Sequence, residues 1–97
     1  MLIFETASNN KDIITKSNIT KNDDVTLVEK NKIFGDSDII QLAIVITPVL
    51  ITSITTLIVT FVNSKKEFTI KIDGNEISMK GYSKKEIKEI LSKYIDN

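Results

Sequence analysis

The chain has 97 residues, enough for one small domain, and its 13 basic and 13 acidic side chains leave no net charge. This balance argues against the basic field that nucleic-acid-binding proteins carry. The sequence also contains no histidine, cysteine, arginine or tryptophan. Common nucleophile–base pairs, zinc sites and redox dithiols therefore lack their usual residues. We expect no enzyme: no catalytic residues, no metal, no cofactor, no small-molecule substrate and no nucleic-acid partner.

The N-terminal region, residues 1–38, is polar and contains two short strand-like segments. Residues 2–5 form the first, and the β-branched and apolar residues 25–28 form the second. The polar stretch between them, residues 8–24, has no clear hydrophobic period and is predicted to be loop with at most one helical turn. Asp36, Ser37 and Asp38 then supply capping oxygens and negative charge, which suit the start of a helix at Ile39.

The central region, residues 39–62, is a run of 24 residues without a charge, of which fifteen are Ile, Leu, Val or Phe. At about 1.5 Å per residue, a helix of this length matches the hydrocarbon core of a bilayer. The sequence therefore predicts one long apolar helix that crosses a membrane once. Pro48 predicts a kink within it.

Polar side chains within this segment gather on one side when it is wound as a helix of about 100° per residue. In a membrane such a face packs against another helix, because small polar residues allow close approach. The same face could instead be the outer side of a buried helix in a soluble protein, although a solvent-facing stripe normally carries Lys or Glu. The predicted helix-packing and partner interface consists of Gln41, Thr52, Thr55, Thr56, Thr60 and Asn63.

Lys65 and Lys66 directly follow the apolar segment and are predicted to lie at a membrane interface, against lipid headgroups. Lysines are slightly more numerous on the C-terminal side of the segment, which predicts a cytoplasmic C-terminal module. The predicted location is therefore the membrane, with lipid as a partner. It is the cytoplasm if residues 39–62 form a soluble core helix.

The C-terminal region, residues 63–97, has the pattern of a small folded module. Residues 68–72 and 76–80 alternate apolar with polar side chains, and Asp73-Gly74-Asn75 between them predicts a β-hairpin. Ser83 and Glu86 have the spacing of a capping box, which opens an amphipathic helix. The predicted fold class is α+β: short N-terminal strands, one long transmembrane helix, a β-hairpin and an amphipathic C-terminal helix.

Four segments of the chain carry a further likeness: residues 34–36, 68–77, 81–83 and 86–91. Together they resemble the effector-associated constant component family of bacterial conflict systems. The resemblance implies a non-enzymatic adaptor or accessory component that couples an effector or protease-like partner to a signal or a membrane. The chain lacks the arginine and tryptophan that family members often carry at the end of the central helix, and is more apolar there, which favours a membrane-embedded relative.

Two other functions fit the same sequence. A polar stripe along an apolar helix is also typical of a membrane-active, holin-like or toxin-like effector that forms pores. A soluble α+β interaction module is the third hypothesis, and it requires the central helix to be buried in protein. All three expect association with a second protein or with further copies of the chain.

Overall fold

The computed structural model describes residues 1–30 and 38–95. Five strands and three α-helices alternate along them, with short 3-10 turns before and after the first helix. The strands are β1 (Leu2–Ala7), β2 (Val25–Lys30), β3 (Ile39–Ile44), β4 (Phe68–Ile72) and β5 (Asn75–Glu76), and the helices are α1 (Lys11–Lys16), α2 (Pro48–Asn63) and α3 (Lys84–Ser92).

The strands form one antiparallel sheet in the order β2-β3-β1-β4-β5. β1 is central because it pairs on both sides: Phe4 lies opposite Leu42 of β3 and opposite Ile70 of β4. The first strand in the chain therefore joins the hairpin of β2 and β3 to the hairpin of β4 and β5. Strands from the N-terminal, central and C-terminal regions of the sequence share one sheet.

The core lies between one face of this sheet and the helices. Alternate residues of the central strands are buried there, since successive side chains of a strand point to opposite faces. Phe4 of β1 meets Phe61 of α2 edge-on at 5.0 Å between ring centroids and stacks on Phe68 of β4 at 5.3 Å. α3 closes the same core with Ile87 and Leu91.

A small buried polar network ties β1 to the segment that enters β4. The hydroxyl of Thr6 donates to the carbonyl of Glu67 at 2.7 Å and accepts from Nδ2 of Asn10 at 2.9 Å. Thr6 and Asn10 are both buried, and a buried polar group without a partner destabilises a fold by about 1–3 kcal/mol. Within the described residues, every buried side-chain nitrogen or oxygen has a partner.

The prediction of one helix over residues 39–62 is wrong. Residues 39–44 form β3, which pairs with β1 on one side and with β2 on the other. The helix starts only at Pro48, whose missing N–H suits the first helical position, and it is capped by Thr47. Pro48 therefore begins α2 and does not kink it. The predicted cap at Asp36 and Ser37 lies outside the described residues, as does the family-like segment 34–36.

The prediction that residues 39–62 cross a membrane is therefore also wrong. α2 has 16 residues, which at about 1.5 Å each is well short of a hydrocarbon core. Among the described residues, the structure has no helix with the length and apolarity needed to span a bilayer. The single-pass membrane location and the pore-forming alternative both depended on such a helix.

The C-terminal hairpin and helix follow local signals that the sequence displays. Asp73 and Gly74 turn the chain with φ of 52° and 85°, a region that Asp tolerates and Gly favours. The predicted capping box is present: the Ser83 hydroxyl accepts from the Glu86 N–H, and the Glu86 carboxylate accepts from the Ser83 N–H. β5 is shorter than predicted, although the N–H of Ile77 still donates to the carbonyl of Ile70.

Candidate interaction surface

The outward side of α2 carries an uncharged row of side chains. Val49 is 76% exposed, a high value for a large apolar residue, and the hydroxyl residues at the following helical positions are exposed as well. Steps of three and four residues put these positions on one line along the helix. We call this surface the threonine stripe; it consists of Val49, Thr52, Thr56, Thr60 and Asn63.

Two hydroxyl groups of the stripe, those of Thr56 and Thr60, are engaged within their own helix. Thr56 donates to the carbonyl of Thr52 at 3.0 Å, and Thr60 donates to the carbonyl of Thr56 at 2.8 Å. Such bonds to the preceding turn satisfy the hydroxyl proton without any other partner. An apolar surface could therefore cover Thr56 and Thr60 without leaving an unsatisfied hydroxyl donor, which would otherwise oppose binding.

The composition of the stripe is unusual for a solvent-facing helix surface. No residue of α2 is charged, in a chain of which 27% of residues are charged. Threonine, valine and asparagine are also weaker helix formers than the Lys, Glu, Gln and Arg that normally occupy exposed positions. Folding alone does not explain these residues, and departures from local preference are expected where a surface has a function.

The structure separates the residues of the predicted interface. Thr52, Thr56, Thr60 and Asn63 lie together on the stripe, whereas Thr55 is buried and donates to the carbonyl of Ile51. Thr55 lies about 100° around the helix from Thr56, so the two cannot share one face.

Gln41 lies outside α2, in a strand and not in a helix. It belongs to β3, on the sheet face away from the core, where its Nε2 donates to the Glu5 carboxylate at 2.6 Å. Its assignment to a helical packing face is wrong because residues 39–44 are a strand. Val49 was missed, and Pro48 is the signal that could have revealed it, since a helix that starts there puts Val49 on the line of Thr52 and Thr56.

Lys65 and Lys66 terminate α2. The N–H of Lys66 donates to the carbonyl of Phe61 and the N–H of Lys65 to that of Val62, with Lys65 at a φ of 56°. These two bonds form a Schellman motif, which satisfies the last carbonyls of a helix. Both side chains are exposed. Their predicted contact with lipid headgroups presupposed a spanning helix, which the described residues do not contain.

The described residues were also searched for a metal site, and the chain was compared with known proteins. Across residues 1–30 and 38–95, the structure brings together no three acidic, histidine or cysteine side chains that could hold a metal ion. Comparisons with protein-family models, with curated proteins and with solved structures find no significant match for this chain. The resemblance to the effector-associated constant component family therefore stays a prediction.

Proposed function

We propose that this chain is a non-enzymatic accessory protein that binds a partner protein through the threonine stripe of α2. The observation that carries the proposal is an exposed helix face without any charge, whose row of threonines weakens the helix and whose Thr56 and Thr60 hydroxyls are already satisfied. The family resemblance, which implies an accessory component beside an effector, agrees with this function. Nothing in the proposal requires a membrane.

The chemistry of the stripe defines the partner surface that fits it. Threonine methyl groups and the Val49 side chain offer apolar contact, and their short length lets a facing backbone approach closely. A complementary surface would be apolar and poor in charge, with an acceptor or donor near Asn63 at the end of the helix. Exposed apolar groups of this kind are typical of interfaces when they form a continuous patch.

The double substitution Thr52→Lys with Thr60→Lys should abolish partner binding without harming the fold. Two ammonium groups would have to be desolvated at the interface, which costs several kcal/mol. Lysine is a better helix former than threonine, so the free energy of unfolding should stay the same or rise by a few tenths of a kcal/mol. The measurement is site-specific photocrosslinking from position 56 in the native cells, with unfolding followed by circular dichroism.

A matched control is available on the other two helices. Thr15 of α1 and Ser92 of α3 are exposed hydroxyl residues that also donate to the carbonyl four residues earlier. Thr15→Lys with Ser92→Lys therefore changes the charge equally and removes two bonds of the kind that Thr60 makes in the stripe. We expect one discrete protein adduct from position 56 in the wild type and in the control, and none in the stripe variant. Adducts that are equal in all three proteins, or absent from the wild type, would show that the stripe is not a binding surface.

A further inference from the structure

A second surface lies along the outer edge of β2, at one side of the sheet. Within residues 1–30 and 38–95, β2 is the last strand of the sheet on its side, and it is six residues long without proline. Such an edge presents backbone N–H and C=O groups that can pair with another strand. Edge strands in natural proteins are commonly shortened, bulged, covered or given charged side chains to prevent this pairing; β2 has charged side chains only at its end, Glu29 and Lys30.

The register of β2 against β3 shows which groups face outward. The N–H of Val45 donates to the carbonyl of Asp24, which makes these two a hydrogen-bonded pair. Because bonded and non-bonded pairs alternate in an antiparallel ladder, Thr26, Val28 and Lys30 bond to β3. The backbone groups of Leu27 and Glu29 therefore point away from the sheet, together with the carbonyl of Val25, whose N–H donates to Asn22.

We propose that β2 pairs with β2 of a second copy of this chain, antiparallel and centred on Leu27. In this register the two Leu27 residues exchange both backbone hydrogen bonds. The N–H of Glu29 in each copy donates to the carbonyl of Val25 in the other. Four backbone hydrogen bonds then join the two sheets into one continuous sheet.

Charge complementarity selects this register and this occupant. Lys30 lies directly opposite Asp24 of the other copy, in a non-hydrogen-bonded pair where side chains are closest. The two-fold symmetry produces this contact twice, and both side chains are exposed in the isolated chain. Shifting the pairing so that Leu27 faces Glu29 would put Lys30 opposite Thr26 and remove both contacts.

The remaining side chains of the strand also suit a second copy. On the core side, Leu27 is half-buried and would meet its symmetry mate, which completes its burial. On the opposite face, Val28, which is 39% exposed, would lie against Thr26 of the other copy, a pair of β-branched residues that packs well. Glu29 already forms a salt bridge with Lys11 of its own chain, so it brings no unpaired charge into the interface between the two β2 strands.

Backbone amide exchange tests this pairing in the wild-type protein. The N–H groups of Leu27 and Glu29 do not bond to β3, so in the monomer they should exchange quickly in dilute solution, and they should become protected as the protein concentration rises and the dimer forms. Thr26 and Val28 bond to β3 and should be protected throughout. Rapid exchange of Leu27 and Glu29 at every concentration would overturn the proposal.

A charge swap tests the register. Asp24→Lys or Lys30→Asp alone turns two attractions into two repulsions and should weaken dimerisation about tenfold, judged from the strength of exposed ion pairs. The double variant Asp24→Lys with Lys30→Asp should recover the wild-type dissociation constant in analytical ultracentrifugation. Glu89→Lys, an exposed change of equal charge on α3, should have no effect. A dimer that ignores both single substitutions, or a swap that fails to restore it in folded protein, would contradict this pairing.

This proposal is independent of the threonine stripe, which lies on α2. The variant Thr52→Lys with Thr60→Lys should dimerise normally, and Asp24→Lys should still form the partner adduct from position 56. If one of the two proposals is contradicted, the other can still be tested by its own measurement: crosslinking for the threonine stripe, and dimerisation for β2.

Discussion

Replacing Phe61 by alanine should lower the free energy of unfolding by about 3–5 kcal/mol, the usual loss when a fully buried aromatic side chain is removed. Phe61 has no exposed surface and contacts Phe4 of β1 and Phe68 of β4. Its ring therefore packs α2 against two neighbouring strands, β1 and β4. Small domains have stabilities of about 5–15 kcal/mol, so this single change removes a large fraction of the total.

The measurement is urea unfolding followed by circular dichroism. Thr60, the preceding residue, is exposed on the stripe, and Thr60→Ala should change stability by no more than about 0.5 kcal/mol. A similar small loss for Phe61→Ala would mean that α2 does not pack on the sheet as described.

Replacing Leu42 by alanine should lower the free energy of unfolding by about 2–5 kcal/mol, whereas Gln41→Ala should lower it by about 1 kcal/mol or less. Leu42 is fully buried in β3, between Phe4 and Leu27 in the register of the sheet. Gln41 is on the other face and loses only its hydrogen bond to Glu5.

The same contrast extends along β3 with a period of two. Ile40 and Ile44 are buried like Leu42, and their truncation should be costly, while Ala43→Ser should be mild. In a continuous helix the sensitive positions would recur every three or four residues instead. A scan by urea unfolding that found the helical period in residues 39–44 would contradict the strand.

The part of the fold that the sequence displays is the part set by neighbouring residues. The turn at Asp73 and Gly74 and the capping box of Ser83 and Glu86 each depend on a few adjacent side chains, and both are present as predicted. Their energetics are local, so a short window of sequence is sufficient to identify them.

β3 could not be identified from a short window of sequence. Its segment, Ile39 to Ile44, has Ile and Ala on the face away from the core as well as large apolar residues on the buried face. Apolar residues on both faces remove the alternation that marks a strand, and the apolar helix that follows extended the run to the length of a membrane span. The central place of β1 depends on pairing with residues 32 to 42 positions away in β3 and 62 to 70 positions away in β4, which no local pattern reports.

The candidate surface was partly predictable for the same reason. From Pro48 onward the chain is helical, so the helical period places Thr52, Thr56, Thr60 and Asn63 on one face. The prediction extends to Thr55 because half the circumference of a helix is wider than one exposed face. The outward edge of β2 was not predictable, because it requires the strand order and the register, which only the sheet as a whole defines.

Residues 39–63 divide into a strand paired with β1 and a separate helix, and the surface assigned to α2 depends on this division. Glu5 and Gln41 lie opposite each other in that pairing. They form a non-hydrogen-bonded pair, because the N–H of Ser8 donates to the carbonyl of Asp38 three residues further along the ladder. Cβ atoms at such pairs are close enough for a disulfide.

The chain has no cysteine, so the double variant Glu5→Cys with Gln41→Cys tests this pairing without background. We expect mild oxidation to close an intramolecular disulfide, seen by mass spectrometry as the loss of two thiol hydrogens in monomeric protein. Glu5→Cys with Thr52→Cys should leave both thiols free. Thiols at positions 5 and 41 that stay free, or that link only different molecules, would contradict the strand and with it the surface assigned to α2.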